Sequence, residues 1–306
     1  MPIVSAFGLL GNILSIIIFH RRRSNSPQSG FISLLICLAM FDSLFLIFAN
    51  GLFCARQLLP DTSHYFLAIP FLMPLASIAL TGSVYTVVAI TVERYATLKQ
   101  FNTKIFCAKY LIFFITLIAV MCNVTKFFEL RATIVETEIE YEITLLRSHP
   151  TYFLVYYLLI NLLTMTLIPL VLLTVLNIFI LRLITQITQK PSDTATTTLL
   201  FSIVIVFLIC HSPKVVLNIY EGTRIFEDTS TWIWPVWAEI VMNCSHLLLV
   251  INSSINIIIF MARDHKFRQA LLQMLQCKKR SMEVSDIPLR SMTSEQTKEE
   301  IVSEQV

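Results

Sequence analysis

Apolar runs of about 20 residues, separated by short polar segments, recur seven times along the chain, at residues 3–19, 31–52, 66–98, 110–128, 152–183, 195–220 and 232–261. A helix of that length crosses the hydrocarbon core of a bilayer. The pattern therefore predicts an all-α membrane protein, a seven-transmembrane helix bundle. The third and fifth runs are long enough to tilt strongly or to project beyond the core. One segment breaks the helical pattern. From Val135 the chain reads Val-Glu136-Thr-Glu138-Ile-Glu140-Tyr-Glu142-Ile, a strict period-two alternation that predicts a strand with one acidic face. It is either a hairpin over the mouth of the bundle presenting four carboxylates, or a solvated charged face. After the last run, Phe267, Ala270, Leu271, Met274 and Leu275 form an apolar stripe with basic neighbours, which predicts a short interfacial eighth helix. The polar stretch from Ser281, rich in Ser, Thr and Glu, reads as disordered. The expected organisation is one membrane domain over residues 1–277, eighth helix included, and a disordered tail over 278–306.

Composition agrees with this and adds an orientation. Of 306 residues, 56% are hydrophobic and 14% charged, with a mean hydropathy of +0.73. An ordinary soluble domain carries about 25% charged residues. Seventeen of the 23 Lys and Arg residues fall at Arg21–Arg23, Arg94–Lys109, Arg182–Lys190 and from Arg263 onward. The other six are Arg56, Lys126, Arg131, Arg147, Lys214 and Arg224. The basic side is cytoplasmic, which places the N-terminus outside and the C-terminus inside. The seven cysteines are scattered without metal-ligand spacing, and Cys37, Cys122, Cys210 and Cys244 lie inside spans as small core residues.

A few polar residues within the spans carry the candidate chemistry. Ala76, Ser83 and Arg94 are seven and eleven residues apart, so they share a stripe to within roughly 20° over about 27 Å of helix. The Glu93–Arg94 pair closing that helix is either a switch or a snorkelling anchor. Asp42 falls near mid-membrane, where a carboxyl is neutral or partnered. Asn252 and Asn256 sit one turn apart on a shared face. Pro169 frees a carbonyl and bends the fifth span, and Pro213 supplies a kink about which half of the sixth can swing. His211, two residues earlier, is a pH sensor or a neutral hydrogen-bonded core imidazole. Asn123-Val-Thr is formally a glycosylation sequon, too close to the membrane for use.

Glu93-Arg94-Tyr95 resembles the Asp/Glu-Arg-Tyr signature of rhodopsin-like (class A) G-protein-coupled receptors. The resemblance extends to Gly11-Asn12, to Leu38-Ala39-x-x-Asp42, to Phe207-x-x-Cys210-His211-x-Pro213 with His where Trp is usual, and to Asn252-Ser253-x-x-Asn256. Ile257 and Phe260 stand where the last motif usually has Pro and Tyr, and Asn177 where the fifth helix commonly has Tyr. The endings Asn123-x-x-Lys-Phe-Phe-Glu129 and Cys210-His-Ser-Pro followed by Val-Val-Leu-Asn218-Ile-Tyr-Glu221 look like FMRFamide-type neuropeptide receptors. The family begins further upstream, so the N-terminus reads as short, as an incomplete gene model would leave it. The family usually ties its long outer loop by a disulfide to the third helix. Here Ile69 stands near the first cysteine position and residues 126–150 contain no cysteine.

The resemblance implies a plasma-membrane receptor that binds an extracellular peptide and activates a heterotrimeric G protein, with arrestin as a further partner and the bilayer as its environment. It implies switch and coupling roles for Glu93, Arg94, Tyr95, Asp193, Phe207, His211, Pro213, Asn256 and Phe260. Arg94 would pair with Glu93 and, at rest, with Asp193. It implies an internal sodium ion on Asp42, Ser83, Asn252 and Ser253, all hard oxygen donors, with Asn256 in the next shell. Cys277 is a palmitoylation candidate. The candidate ligand residues are Ala76, Phe128, Glu129, Glu136, Glu138, Glu140, Glu142, Asn218, Glu221, Trp237 and Glu239, an acidic and aromatic rim suited to a cationic peptide ending in Arg-Phe-amide. Glu129 or Glu221 would pair with the peptide guanidinium. Ala76 stands where amine receptors have an Asp, which argues against an amine ligand.

Nothing in the chain suggests an enzyme or a nucleic-acid binder: there is no Ser-His-Asp arrangement, no clustered metal ligands and no Gly-rich phosphate loop. A chemosensory receptor for a small ligand is the alternative within the class. A transporter would need inverted repeats or matched broken helices, which are not visible.

Overall fold

The computed structural model describes residues 1–23, 29–53, 63–100, 108–135, 138–186, 191–224 and 235–285. Among them, seven helices are long and apolar enough to cross a bilayer. They follow the seven apolar runs because a chain in lipid must satisfy each backbone N–H and C=O within its own segment. The helices are α1 (Pro2–Arg23), α2 (Ser29–Phe53), α3 (Ser63–Leu98), α4 (Ala108–Met121), α5 (Ile168–Gln186), α6 (Pro191–Arg224) and α7 (Val236–Ser254). After a break at Ile255 a short α8 (Asn256–Arg263) continues the last span.

Helix α3 is central, packing against α2, α4, α5 and α6. Its predicted stripe faces inward: Ala76, Ser83 and Arg94 are all buried. Close helix approach follows from missing side chains. A Cβ added to Gly11 would stand 2.6 Å from Ile257 Cγ2, so only glycine lets α1 lie this near α8. Asn12, buried beside it, donates from Nδ2 to the Ser253 carbonyl at 3.0 Å. At the far end of the same pair, Arg22 bonds Asp264 at 2.6 Å.

The fifth span is not one regular helix. Two π-helical stretches, Phe153–Ile160 and Leu163–Leu167, precede α5. Pro169 explains the second: its ring has no N–H for the preceding turn and crowds the carbonyl four residues back, so the chain widens there.

The alternating segment is divided between two strands of a hairpin: Val135 ends the first and Glu138–Ile143 forms the second, with Glu136 outside the described residues. Strand β1 (Leu130–Val135) pairs antiparallel with β2 (Glu138–Ile143), and both strands pack on α3. The register sets Glu142 opposite Arg131 and Glu140 opposite Thr133, so one carboxylate of the acidic face meets a guanidinium-bearing partner. The hairpin base is closed without a disulfide. Thr144 donates from its backbone N–H to the Glu129 carbonyl at 3.0 Å and from Oγ1 to the Phe128 carbonyl at 2.7 Å. Ile69 is buried, and the described cysteines Cys37, Cys122, Cys210 and Cys244 are free thiols.

The chain divides into two compact units, Met1–Asp264 and His265–Val306. Extended backbone at Asp264 ends α8. The second unit contains helix α9 (His265–Ser285).

Candidate functional site

Three groups of side chains recur along the axis of the bundle. The middle one is built on Asp42 in α2, which is fully buried. Ser83 Oγ of α3 donates to its Oδ1 at 2.7 Å, and Asn256 Nδ2 of α8 donates to its Oδ2 at 2.6 Å. The break at Ile255 ends α7 and restarts the helix at Asn256, which delivers that amide directly to the carboxylate. Asn252, expected as a direct ligand, is only half-buried. Ser253 Oγ faces the same carboxylate without reaching hydrogen-bond geometry. A carboxyl at this depth is tolerated because donors from two other helices meet both of its oxygens.

The second group lies at the C-terminal end of α3. Arg94 is buried, Glu93 is half-buried with its Oε2 sealed from solvent and without a hydrogen-bond partner, and the Tyr95 ring lies 6.2 Å from Phe179 of α5. The Glu93 Oε1 atom fits over Gly30, where an added Cβ would stand 3.1 Å away. Asp193 falls in the first turn of α6, its side chain outside the described residues. Further along α6, Phe207 and His211 are both buried with ring centroids 4.1 Å apart, and Pro213 lies inside the helix. Phe260 packs edge-on against Phe19 at 5.1 Å. Cys277 belongs to α9, its side chain likewise undescribed.

The third group surrounds a cavity of about 450 Å³. Ala76 and Asn218, both expected to face ligand, line it, together with Phe45, Leu80 and Leu249. The acidic rim fares differently. Glu142 and Glu239 are exposed, as are Phe128 and Trp237, and the Trp237 ring sits edge-on to Tyr220 at 4.6 Å. Glu138 and Glu140 lie in β2 and Glu221 in α6, with their side chains undescribed, and Glu136 is outside the described residues.

Glu129 departs most from expectation. It is fully buried, accepting from Arg147 Nη1 at 3.2 Å and from Tyr152 Oη at 3.0 Å. The 3₁₀ turn Val124–Phe128 ends α4 and turns this carboxylate inward, against the segment that follows the hairpin. It is no rim residue awaiting a ligand guanidinium, because the protein's own guanidinium already holds it. Asn123, of the formal sequon, is buried at the start of the same turn and donates to Thr81 Oγ1 at 2.7 Å, which closes it to a glycan.

Sequence reasoning missed the cavity's own charges. Lys126, Arg147 and Lys214 all line it, beside Asn161 and His246. The signal was available: these three are among the six basic residues that fall outside the four basic clusters.

Comparison with known proteins places these features in a family. Residues 11–260 match the family described as 7 transmembrane receptor (rhodopsin family). The chain is 28% identical over 302 residues to a protein named FMRFamide receptor of Drosophila melanogaster, an alignment covering 88% of this chain and 52% of that one. It is 26% identical over 297 residues to FMRFamide peptide receptor frpr-18 of Caenorhabditis elegans, covering 89% and 67% of the two chains. A probable G-protein coupled receptor of the same nematode, frpr-1, is 24% identical over 303 residues, covering 89% and 76%. The chain spans about half the length of the fly receptor it matches. With seven bilayer-length helices and a family match that runs from the first of them to the last, the chain belongs to the rhodopsin family of seven-transmembrane receptors.

Proposed function

We propose that this receptor takes an extracellular peptide of the FMRFamide type and activates a heterotrimeric G protein, in a plasma membrane with its N-terminus outside. The observation that carries the reading is the cavity of about 450 Å³ bounded by α2, α3, α6 and α7 and by the residues flanking the hairpin. Its volume lies within the range of about 300–1,000 Å³ usual for ligand pockets. The names of the relatives supply the peptide class. The exposed Glu142 and Glu239 and the aromatic Trp237 suit a cationic, aromatic peptide approaching from outside.

Signal transfer would run along α6. Ligand in the cavity touches the outer half of this helix at Lys214, Leu217 and Asn218, next to Pro213. Motion about that proline would swing the inner half away from Arg94 and open the cytoplasmic end to the G protein. Asp193 would hold Arg94 at rest. Asp42, Ser83 and Ser253 would hold a sodium ion, since they are hard oxygen donors and Ser253 Oγ is buried without a hydrogen bond. Such an ion would supply the counter-charge for the carboxylate in the resting bundle. Arrestin binding and palmitoylation of Cys277 belong to the same reading.

The test is a library of amidated peptides applied to cells expressing the receptor, read by nucleotide exchange on the G protein. Activation by peptides ending in Arg-Phe-amide is expected. A neutral small molecule as sole activator would overturn the peptide assignment.

A further inference from the structure

Polar side chains inside a bundle ordinarily find a partner, because an unpaired one is costly to bury. Serines here do so along their own helices. Ser15, Ser43 and Ser254 each donate to the carbonyl one turn back, at 2.8, 2.7 and 2.7 Å. Two side chains on the cavity wall depart from this. Ser245 of α7 keeps 2% of its exposure and Asn218 of α6 keeps 9%, and among the described residues neither side chain has a hydrogen-bond partner. Both line the cavity, so what their polar atoms face is its interior. The same wall carries an apolar surface of Phe45, Leu80 and Leu249, and the rings of Phe53 and His246 with centroids 4.4 Å apart. An Asn side chain offers a carbonyl oxygen and an N–H donor side by side. A carboxylate only accepts and a guanidinium only donates, so each would leave one of the two Asn218 atoms unmet. A primary carboxamide meets both.

We propose that Asn218 reads a primary carboxamide on the ligand through a ring of two hydrogen bonds. Its Nδ2 donates to the ligand carbonyl, and its Oδ1 accepts from the ligand amide. The pairing leaves that amide one further N–H and one carbonyl lone pair, and the Ser245 hydroxyl serves one of them. The inference rests on the reading of this cavity as the ligand site and deepens it. For a peptide ending in Arg-Phe-amide, the group recognised inside is the terminal amide, with the Phe ring against the apolar wall, and not the guanidinium.

The experiment uses the purified full chain in detergent, with small-molecule probes titrated against thermal stability. The probes are 3-phenylpropanamide, its N-methyl amide and the lactam 4-phenylpyrrolidin-2-one. The N-methyl amide is trans, with N–H and C=O on opposite sides, so it makes only one of the two bonds. The lactam ring holds the two groups on one side and restores both. The parent protein should bind primary amide and lactam within about threefold of each other, and each about tenfold tighter than the N-methyl amide, which leaves a buried partner unmet. Asn218→Asp should turn the preference over to 3-phenylpropanamidine, a cation with two donors for a carboxylate, by about tenfold over the amide. Equal binding of the primary and N-methyl amides, a lactam that behaves as the N-methyl amide, or no binding of any probe to the parent overturns the proposal. So does an Asn218→Asp protein that still prefers the amide to the amidine. The comparison on the parent protein decides the matter where the variant fails to fold. No peptide or G protein takes part. A failed peptide screen with the amide preference intact therefore counts against the peptide reading alone, and a successful screen without that preference counts against this inference alone.

Discussion

Replacing Glu129 by Gln tests whether the hairpin end of the bundle is held by a buried charge pair. Glu129 is fully buried, while the Arg147 side chain keeps 20% of its exposure. Removing one partner of a buried pair costs about 3–5 kcal/mol when the remaining charge is fully desolvated. Water reaches part of the Arg147 guanidinium and recovers some of that, leaving about 2–3 kcal/mol. Gln can still accept from Tyr152, so that bond survives. Lys126, which feels both Glu129 and Arg147, also loses the carboxylate beside it. At about 2–4 °C per kcal/mol for chains of this order, the apparent Tm should fall by about 4–12 °C. Thermal unfolding of purified receptor, at one scan rate and in one detergent, measures it. Tyr152→Phe should cost about 1.5–3 kcal/mol, the worth of one hydrogen bond to a charged group. A double variant with Arg147→Met should be less damaged than the sum of the singles, since each removes the same pair. A Glu129→Gln protein melting within about 1 °C of the parent would refute the argument.

Other outcomes follow from the same reasoning. Asp193→Ala should raise ligand-free signalling if that carboxylate restrains Arg94, and unchanged basal activity at equal surface expression would count against the lock. Sodium should weaken agonist binding relative to potassium at matched ionic strength, because an ion on Asp42 favours the resting bundle; Ser83→Ala should blunt the difference, and an affinity indifferent to sodium would remove the ion from the account. Gly11→Leu should prevent α1 from seating on α8, with loss of folded receptor at the surface, since its Cβ alone would stand 2.6 Å from Ile257; normal expression would show that α1 can shift.

Much of the architecture was legible in the residues because the bilayer makes it local. Each span must be long, apolar and internally hydrogen-bonded, so a window of about 20 residues decides its existence without reference to any other. The Glu136–Glu142 alternation announced a strand for the same reason, since side chains that alternate in the chain alternate in space. The Ala76–Ser83–Arg94 stripe needed only the helical repeat. What the chain could not disclose was convergence. Whether Asn252 or Asn256 reaches Asp42 depends on a break at one residue, Ile255. Whether Glu129 points outward or inward depends on a 3₁₀ turn and on Arg147 and Tyr152 being near enough to take it in. Lys126, Arg147 and Lys214 are scattered single charges in the sequence and neighbours around one cavity in the fold. Hydrophobic patterning is a sum over adjacent residues, whereas the field inside a pocket is a sum over whatever the packing brings together, and only the tertiary structure decides its sign.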